Sequence, residues 1–351
     1  MKKIYRIISL SILLGIITIS FNASFAGNED RAGQAGGSGL LINPWARSTG
    51  WGGANTSNAV GLEAMHLNVA GTAFTKKTEL LFSRTSWLKG TDININAFGF
   101  TQRVGETSVL GFGIMSIDFG DIMITSVDQP EGGLGDFSPN YMNMGISYAK
   151  EFSNSIYGGL ALKVITESIS DAGASGIAFD AGIRYVTGEN DRIKFGIALK
   201  NVGPSMRYKG DGLSFRGNIP STGASLTVEQ RSAPFELPSL VNIGGSYDFR
   251  LAEEHRLTLA GNFTSNSFTK DQVMIGLEYG FKSYFMLRGG YMHENGIRSV
   301  EERATAYTGP SAGLTFEIPL GDKGTTFGID YSYRATNPFQ GTHSIGARIN
   351  L

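Results

Sequence analysis

The chain has 351 residues, a formal net charge of −1 and only 17% charged residues, with 48 glycines, 10 prolines and no cysteine. A charge this close to zero gives nucleic acid no electrostatic footing as a partner, and the absence of thiols excludes disulfides and thiolate metal sites. Abundant glycine without matching proline argues against a proline-rich disordered sequence, and no stretch past the leader approaches the ~18 consecutive apolar residues of a membrane helix.

Residues 1–26 read as a secretory signal peptide. Lys2, Lys3 and Arg6 give a positive start, Ile7 to Phe21 is an apolar core, and Ser24-Phe25-Ala26 ends in small residues suited to cleavage. No cysteine follows that could carry a lipid.

Residues 27–78 are expected to form an N-terminal plug or hatch, centred on Leu40–Phe74. That stretch is rich in Gly, Ala and Asn, shows little strand alternation, and holds Trp45 and Trp51. The residues expected to build it are Trp45, Arg47, Trp51, Gly52, Gly53, Asn68 and Gly71. A disordered periplasmic arm would have little use for Trp45, Trp51, Leu62, Met65 and Leu67. A segment enclosed by a barrel needs such anchors, and needs glycines where its backbone meets the wall.

Residues 79–351 read as an outer-membrane β-barrel. Period-2 alternation marks about 14 strands, near 79–87, 92–103, 106–118, 140–151, 155–168, 176–187, 191–201, 237–250, 254–264, 271–281, 284–293, 310–319, 325–334 and 342–351. In 327–333, for example, Phe327, Ile329, Tyr331 and Tyr333 oppose Gly328, Asp330 and Ser332. The fold class that follows is all-β: a transmembrane antiparallel β-barrel with an N-terminal plug segment. Strict alternation hidden under a mean hydropathy near zero fits it, because lipid-facing and lumen-facing residues cancel.

The connections sort by length. One set is tight: Val104-Gly105, Phe152–Asn154, Gly188–Asn190, Leu251–Glu253, Lys282-Ser283 and Leu320–Gly324. The other holds 119–139, 202–236 and 294–309, with shorter members at 88–91, 169–175, 265–270 and 335–341. Short turns at one end and long loops at the other belong to outer-membrane barrels. Aromatics are expected in two outward belts: Tyr148, Tyr185, Tyr247, Phe249, Tyr279, Phe285 and Phe327 at one rim, and Trp87, Phe263, Tyr291 and Tyr333 at the other. A C-terminal strand ending in Leu351 would close the barrel on its first strand. A soluble β-sandwich also alternates, but seldom needs two aromatic rings or sorted loops.

Catalytic chemistry finds little support. His66, His255, His293 and His343 lack metal-ligand spacing, no G-x-S-x-G occurs, and Gly50-x-Gly52-Gly53 lacks the context of a phosphate loop. Asp118, Asp121, Asp128, Glu131 and Asp136 could gather a calcium ion, but fit no EF-hand spacing and read equally as a solvated loop. The expectation is a non-enzyme with no catalytic, metal or cofactor site. Alternation points Lys163, Asp180, Arg184, Lys194, Lys200, Asp248, Arg256, Glu278, Arg288, Glu317, Asp330, Arg334 and Arg348 inward. Such a mixed set favours internal pairing over a single-sign ion filter.

Apolar residues stud the long loops. Ile122, Ile124, Phe137, Tyr208, Phe215 and Phe235 are candidates for partner docking, and part of 213–229 is expected to form a hairpin beyond the barrel.

Two blocks carry a family resemblance: Ala46-Arg47-Ser48-Thr49-Gly50-Trp51-Gly52-Gly53-Ala54, and Ala64-Met65-His66-Leu67-Asn68-Val69-Ala70-Gly71-Thr72-Ala73. They resemble the G-A-R-A-x-G-M-G-G-A … N-P-A-G-L-A opening of the PorV/PorQ family of FadL-like barrels, with Val69 where that family has proline. Phe119-Gly120-Asp121-Ile122 and the stretch from Phe137-Ser138-Pro139 to Phe152 are also similar. The resemblance implies a barrel of the type IX secretion system in the outer membrane of Bacteroidota. Its partners would be membrane lipid, secreted proteins, and subunits of the translocon or attachment complex. FadL-like relatives instead pass hydrophobic small molecules across the outer membrane, and the fold alone does not choose between the two. An adaptor should present apolar loops above a blocked lumen. A transporter should show an apolar pocket running from the loops into the lumen and a gap in the wall. A general porin is the third possibility, disfavoured by the plug-like segment.

Overall fold

Apolar residues at every second position, repeated strand after strand, can be reconciled with hydrocarbon only if every backbone hydrogen bond is made between strands and no edge is left open. A computed structural model describes residues 27–218, 223–321 and 324–351, so the signal peptide read at residues 1–26 lies outside the described residues.

Fourteen strands form one closed antiparallel barrel: β1 (Thr78–Ser86), β2 (Asn94–Val104), β3 (Ser108–Asp118), β4 (Asn140–Ser153), β5 (Ile156–Ile169), β6 (Ala172–Thr187), β7 (Ile193–Val202), β8 (Leu240–Ala252), β9 (His255–Asn266), β10 (Gln272–Phe281), β11 (Phe285–Glu294), β12 (Tyr307–Pro319), β13 (Thr326–Thr336) and β14 (Thr342–Asn350). Each pairs with its neighbours in sequence, and β14 closes on β1 from Glu79 opposite Asn350 to Ser86 opposite His343. The single closed barrel removes the two-sheet sandwich from consideration.

The faces are inverted relative to a soluble protein. Phe82, Ile146, Leu160, Ile183, Ile197, Ile243, Ile275, Ile329 and Ile345 are exposed, while Lys163, Asp180, Arg184, Glu278, Arg288, Asp330 and Arg348 are buried. That is the arrangement of a barrel whose outer face meets lipid.

Loop lengths separate as expected, with one exception. The connection foreseen over 169–175 is a tight turn at Ser170-Asp171, because Ala172 to Gly176 continue the ladder opposite Ile169 to Ile165. Small residues there look like a loop, yet a ladder needs only backbone groups on that side. The long connections are 119–139, 203–239 and 295–306, all at one end of the barrel, which we call the long-loop end. A two-residue ladder pairs Ile122-Met123 with Asp136-Phe137, and a hairpin pairs Ser214–Asn218 with Ser225–Glu229.

Trp87 departs from its expected place. It lies one residue past β1 on the inward parity, packs against the lumenal core, and donates from Nε1 to the Tyr307 hydroxyl at 2.9 Å. The indole finds its hydrogen-bond acceptor inside the barrel, so it does not join the lipid belt. Two irregularities interrupt the ladders in the long-loop half, between Phe179 and Ala181 on β6 and between Tyr307 and Ser311 on β12.

Candidate functional site

The segment 42–74 fills the lumen as a string of short turns, including Ala46–Thr49, Ala64–Leu67 and Val69–Phe74. Its side chains complete cores that the wall alone could not form. Trp45, Leu62 and Met65, with Leu40 just ahead of the segment, pack with Leu81, Ile95, Met115, Ile117, Tyr141 and Ile165 on β1–β5. Trp51 and Ala54 pack with Ala260, Met274 and Met292 on β9–β11. On the third side Ala70 and Ala73 meet Ala149, Tyr157 and Val186.

Wall glycines make the room. A Cβ at Gly290 would fall 2.2 Å from the carbonyl oxygen of Trp51, and one at Gly159 would fall 2.9 Å from the carbonyl of Val69. Within the plug, Gly52 and Gly53 hold φ of 65° and 90°, a region that glycine enters without strain. Gly71 has no space for a side chain, since a Cβ there would sit 2.3 Å from the carbonyl of Ala59.

Polar contacts fix the register of plug on wall. Asn68 accepts from the backbone N–H of Ala70 at 3.1 Å and donates from Nδ2 to the carbonyl of Ile183 at 3.0 Å. Arg47 lies 3.6 Å from Glu63, whose other oxygen accepts from the Ser48 hydroxyl. Burial alone would push the Arg47 guanidinium down, but the carboxylates of Glu63, Glu278, Asp330 and Glu317 outweigh it and hold the charged form above its ordinary range. Glu63 and Glu79 escape a reading of the sequence as plug anchors. The available signal for Glu63 is a carboxylate isolated among the small and apolar residues of Ala59 to Leu67, and for Glu79 a carboxylate on the inward parity at the start of β1.

The wall contributes a cross-strand ion network beneath this floor. Arg288 donates to Glu278 at 2.9 Å and to the Thr315 hydroxyl at 2.8 Å. Arg348 donates to Glu317 at 2.9 Å and approaches Asp330 at 3.6 Å. Elsewhere in the wall Lys163 on β5 pairs with Asp180 on β6 at 2.5 Å, and Lys194 on β7 pairs with Asp248 on β8. Many of the mixed inward charges therefore pair with one another, while Arg184 donates to the carbonyl of Ala59 at 2.7 Å and stacks over the Phe74 ring.

The plug divides the lumen into two chambers. Thr49, Gly52, Gly53, His66 and Leu67 floor a cavity of about 560 Å³ at the long-loop end. Its walls include Ile42, Trp87, Leu240, Phe268, Met274 and Met292, with Lys200 and Glu294 among the polar members. The chamber at the short-turn end, about 600 Å³, is lined instead by charged groups such as Arg47, Arg184, Asp248 and Glu278. The apolar surface thus ends at the plug. His66 keeps some surface toward the long-loop cavity yet sits deep among protein atoms. Burial first, then the charges of Lys200 and Lys163, pull its pKa well below the usual 6.5.

The six loop residues considered for docking do not form one patch. Ile122 and Ile124 are exposed on the loop after β3, where Phe137 is half-buried opposite Ile122, and Phe215 is exposed on the projecting hairpin. Tyr208 and Phe235 turn back onto the lumenal core, ring centroids 5.6 Å apart. The Tyr208 hydroxyl donates to Glu167 at 2.7 Å, and burial with that bond pushes its phenol up to about 12. The acidic residues of 118–136 are not gathered: Asp118 accepts from the N–H of Gly120, and Asp121 from the Ser138 hydroxyl.

No family model matches the chain. No curated protein matches it in sequence. Solved structures do match in fold. The Pseudomonas putida toluene transporter TodX aligns over 87% of this chain and 96% of its own, at 13% identity and a TM-score of 0.54. A Pseudomonas aeruginosa FadL homologue aligns over 88% and 97%, at 11% identity and a TM-score of 0.52. The Ralstonia pickettii toluene transporter TbuX aligns over 87% and 96%, at 14% identity and a TM-score of 0.50. The chain shares the barrel fold of these proteins over 87–88% of its length.

Proposed function

We propose that the chain is an outer-membrane barrel of a Gram-negative cell that takes up hydrophobic small molecules at its long-loop, extracellular end. The observation that carries this reading is the apolar cavity of about 560 Å³ between the loops and the plug. Its volume suits a small solute, and the apolar members of its lining, among them Trp87, Leu240, Phe268, Met274 and Met292, reward an apolar group for leaving water, while Asn242, Asn262, Gln272 and Arg334 line other parts of it. The likeness to toluene transporters supports the same reading, and it accords with an apolar route that stops at the plug: passage onward requires Thr49 to Gly53 to move. The experiment is uptake of radiolabelled toluene by cells that lack their own hydrocarbon channels. Cells expressing the chain should exceed vector controls, and Ser38→Trp with Thr305→Trp, both at the cavity lining, should return uptake to background. Equal uptake with and without the chain refutes the proposal.

A second reading is the type IX adaptor that binds secreted proteins or translocon subunits. It is favoured by Ile122, Met123, Ile124 and Val127, large apolar residues exposed together on one long loop. Deleting 121–136 would then abolish co-purification with secreted cargo while leaving the barrel folded. Unchanged co-purification rejects it.

A further inference from the structure

We infer that the peptide bond after Ala26 is cut and that the barrel carries a built site for the amine this exposes on Gly27. The inference rests on the signal peptide read from the sequence and is independent of what the lumen transports. Hydrolysis by a signal-cleaving protease of the host consumes one water. The Ala26 carbonyl leaves as a carboxylate, and the Gly27 nitrogen becomes an ammonium.

That nitrogen is already placed against a counter-ion. Gly27 N donates to Asp271 Oδ2 at 2.7 Å, and the other carboxylate oxygen accepts from the backbone N–H of Asn266 at 3.1 Å. The spot admits only glycine: a Cβ on residue 27 would fall 2.8 Å from Asp271 Oδ1 and 2.9 Å from the carbonyl of Thr269. Both features coincide at the first residue past Ser24-Phe25-Ala26, which has small residues at its first and last positions. Cleavage converts one neutral N–H donor into a charged group with three, so a hydrogen bond becomes an ion pair.

The contact anchors an arm that borders the long-loop cavity. Asn28 N meets the carbonyl of Asn266 at 3.4 Å, Arg31 stacks 4.2 Å over the Phe268 ring and donates to Glu236 at 2.7 Å, and Gly36 N meets the carbonyl of Glu236 at 3.0 Å. Ala32, Gly33, Ala35 and Gly36 then line the cavity itself. The mouth of the lumen is therefore completed by processing: the ammonium–carboxylate pair pins residues 27–36 across the loops before β8 and β10.

The test uses the mature protein purified from membranes. Terminal sequencing should begin at Gly27. An amine-reactive acylating reagent at neutral pH should label that terminus about tenfold more slowly in the native protein than in Asp271→Asn, since the paired ammonium is withheld from reaction. Hydrogen exchange over 27–36 should rise in the variant, with the barrel strands unchanged. Should Asp271→Asn fail to assemble, one alanine inserted between Ala26 and Gly27 displaces the amine without touching the wall and must give the same two changes. A terminus elsewhere, or equal labelling and exchange in native and altered chains, overturns the inference.

Discussion

The backbone nitrogen of Leu62 donates to Glu79 Oε1 at 2.7 Å, joining a fully buried plug residue to the first inward carboxylate of the barrel wall. Plug and barrel are thus one folded unit, coupled at the point where one chain segment becomes the other.

Replacing Glu79 with alanine leaves the Leu62 N–H buried without its acceptor, an omission worth about 1–3 kcal/mol. We expect the barrel to keep its resistance to detergent while the segment 42–74 becomes sensitive to protease. The readout is limited proteolysis followed by mass mapping. A plug as resistant as in the native chain would show that this bond does not hold it.

Thr49 and Ser332 touch hydroxyl to hydroxyl between plug and β13, at the floor of the apolar cavity. Thr49→Cys with Ser332→Cys, in a chain that has no other cysteine, offers a tether that oxidation closes and a thiol reductant opens. Closing it should stop toluene uptake at least several-fold and reduction should restore it. Binding of the solute in the cavity should survive in both forms. Uptake indifferent to the redox state would mean that Thr49 does not have to move.

His66 gives the plug a pH dependence whose sign is fixed. Its pKa is lowered in the fold, by burial and then by Lys200 and Lys163, from an ordinary 6.5. Above that pH both folded and unfolded forms are neutral, and nothing changes. Below it the unfolded form takes up a proton that the folded form resists, so stability falls with pH. The protection of Ala64–Phe74 against hydrogen exchange, taken relative to the intrinsic amide rate at each pH, should be flat from pH 8 to about 6.5 and fall below it. His66→Asn should remove most of that slope; an unaltered slope assigns it to another group.

Much of this architecture is legible in the sequence because a lipid-facing barrel obeys few and local rules. Alternation locates β1 to β14, and the separation of tight turns from long loops orients them. The rules weaken where side chains stop reporting on the backbone. Ala172 to Gly176 extend β6 although they look like a loop, because the ladder to Ile165 to Ile169 on β5 needs only their backbone groups. Trp87 turns inward because an acceptor, the Tyr307 hydroxyl, awaits it there, a fact fixed by strands distant in sequence. The plug is recognisable from Trp45, Trp51 and its glycines, yet its anchors on Glu63 and Glu79 depend on contacts between segments that no periodicity encodes. The loop aromatics Tyr208 and Phe235 read as exposed for the same reason, and they fold down only because Leu40 and Trp45 offer them a core.

The central claim is that an apolar solute rests in the chamber above the plug. Crystals of the mature barrel equilibrated with bromobenzene, measured at the bromine absorption edge, test it most directly. The account predicts an anomalous peak between Trp87, Met274 and Met292, above the floor made by Thr49 and Gly53. Bromine found only on the outer lipid-facing surface, with none in that chamber, would contradict it.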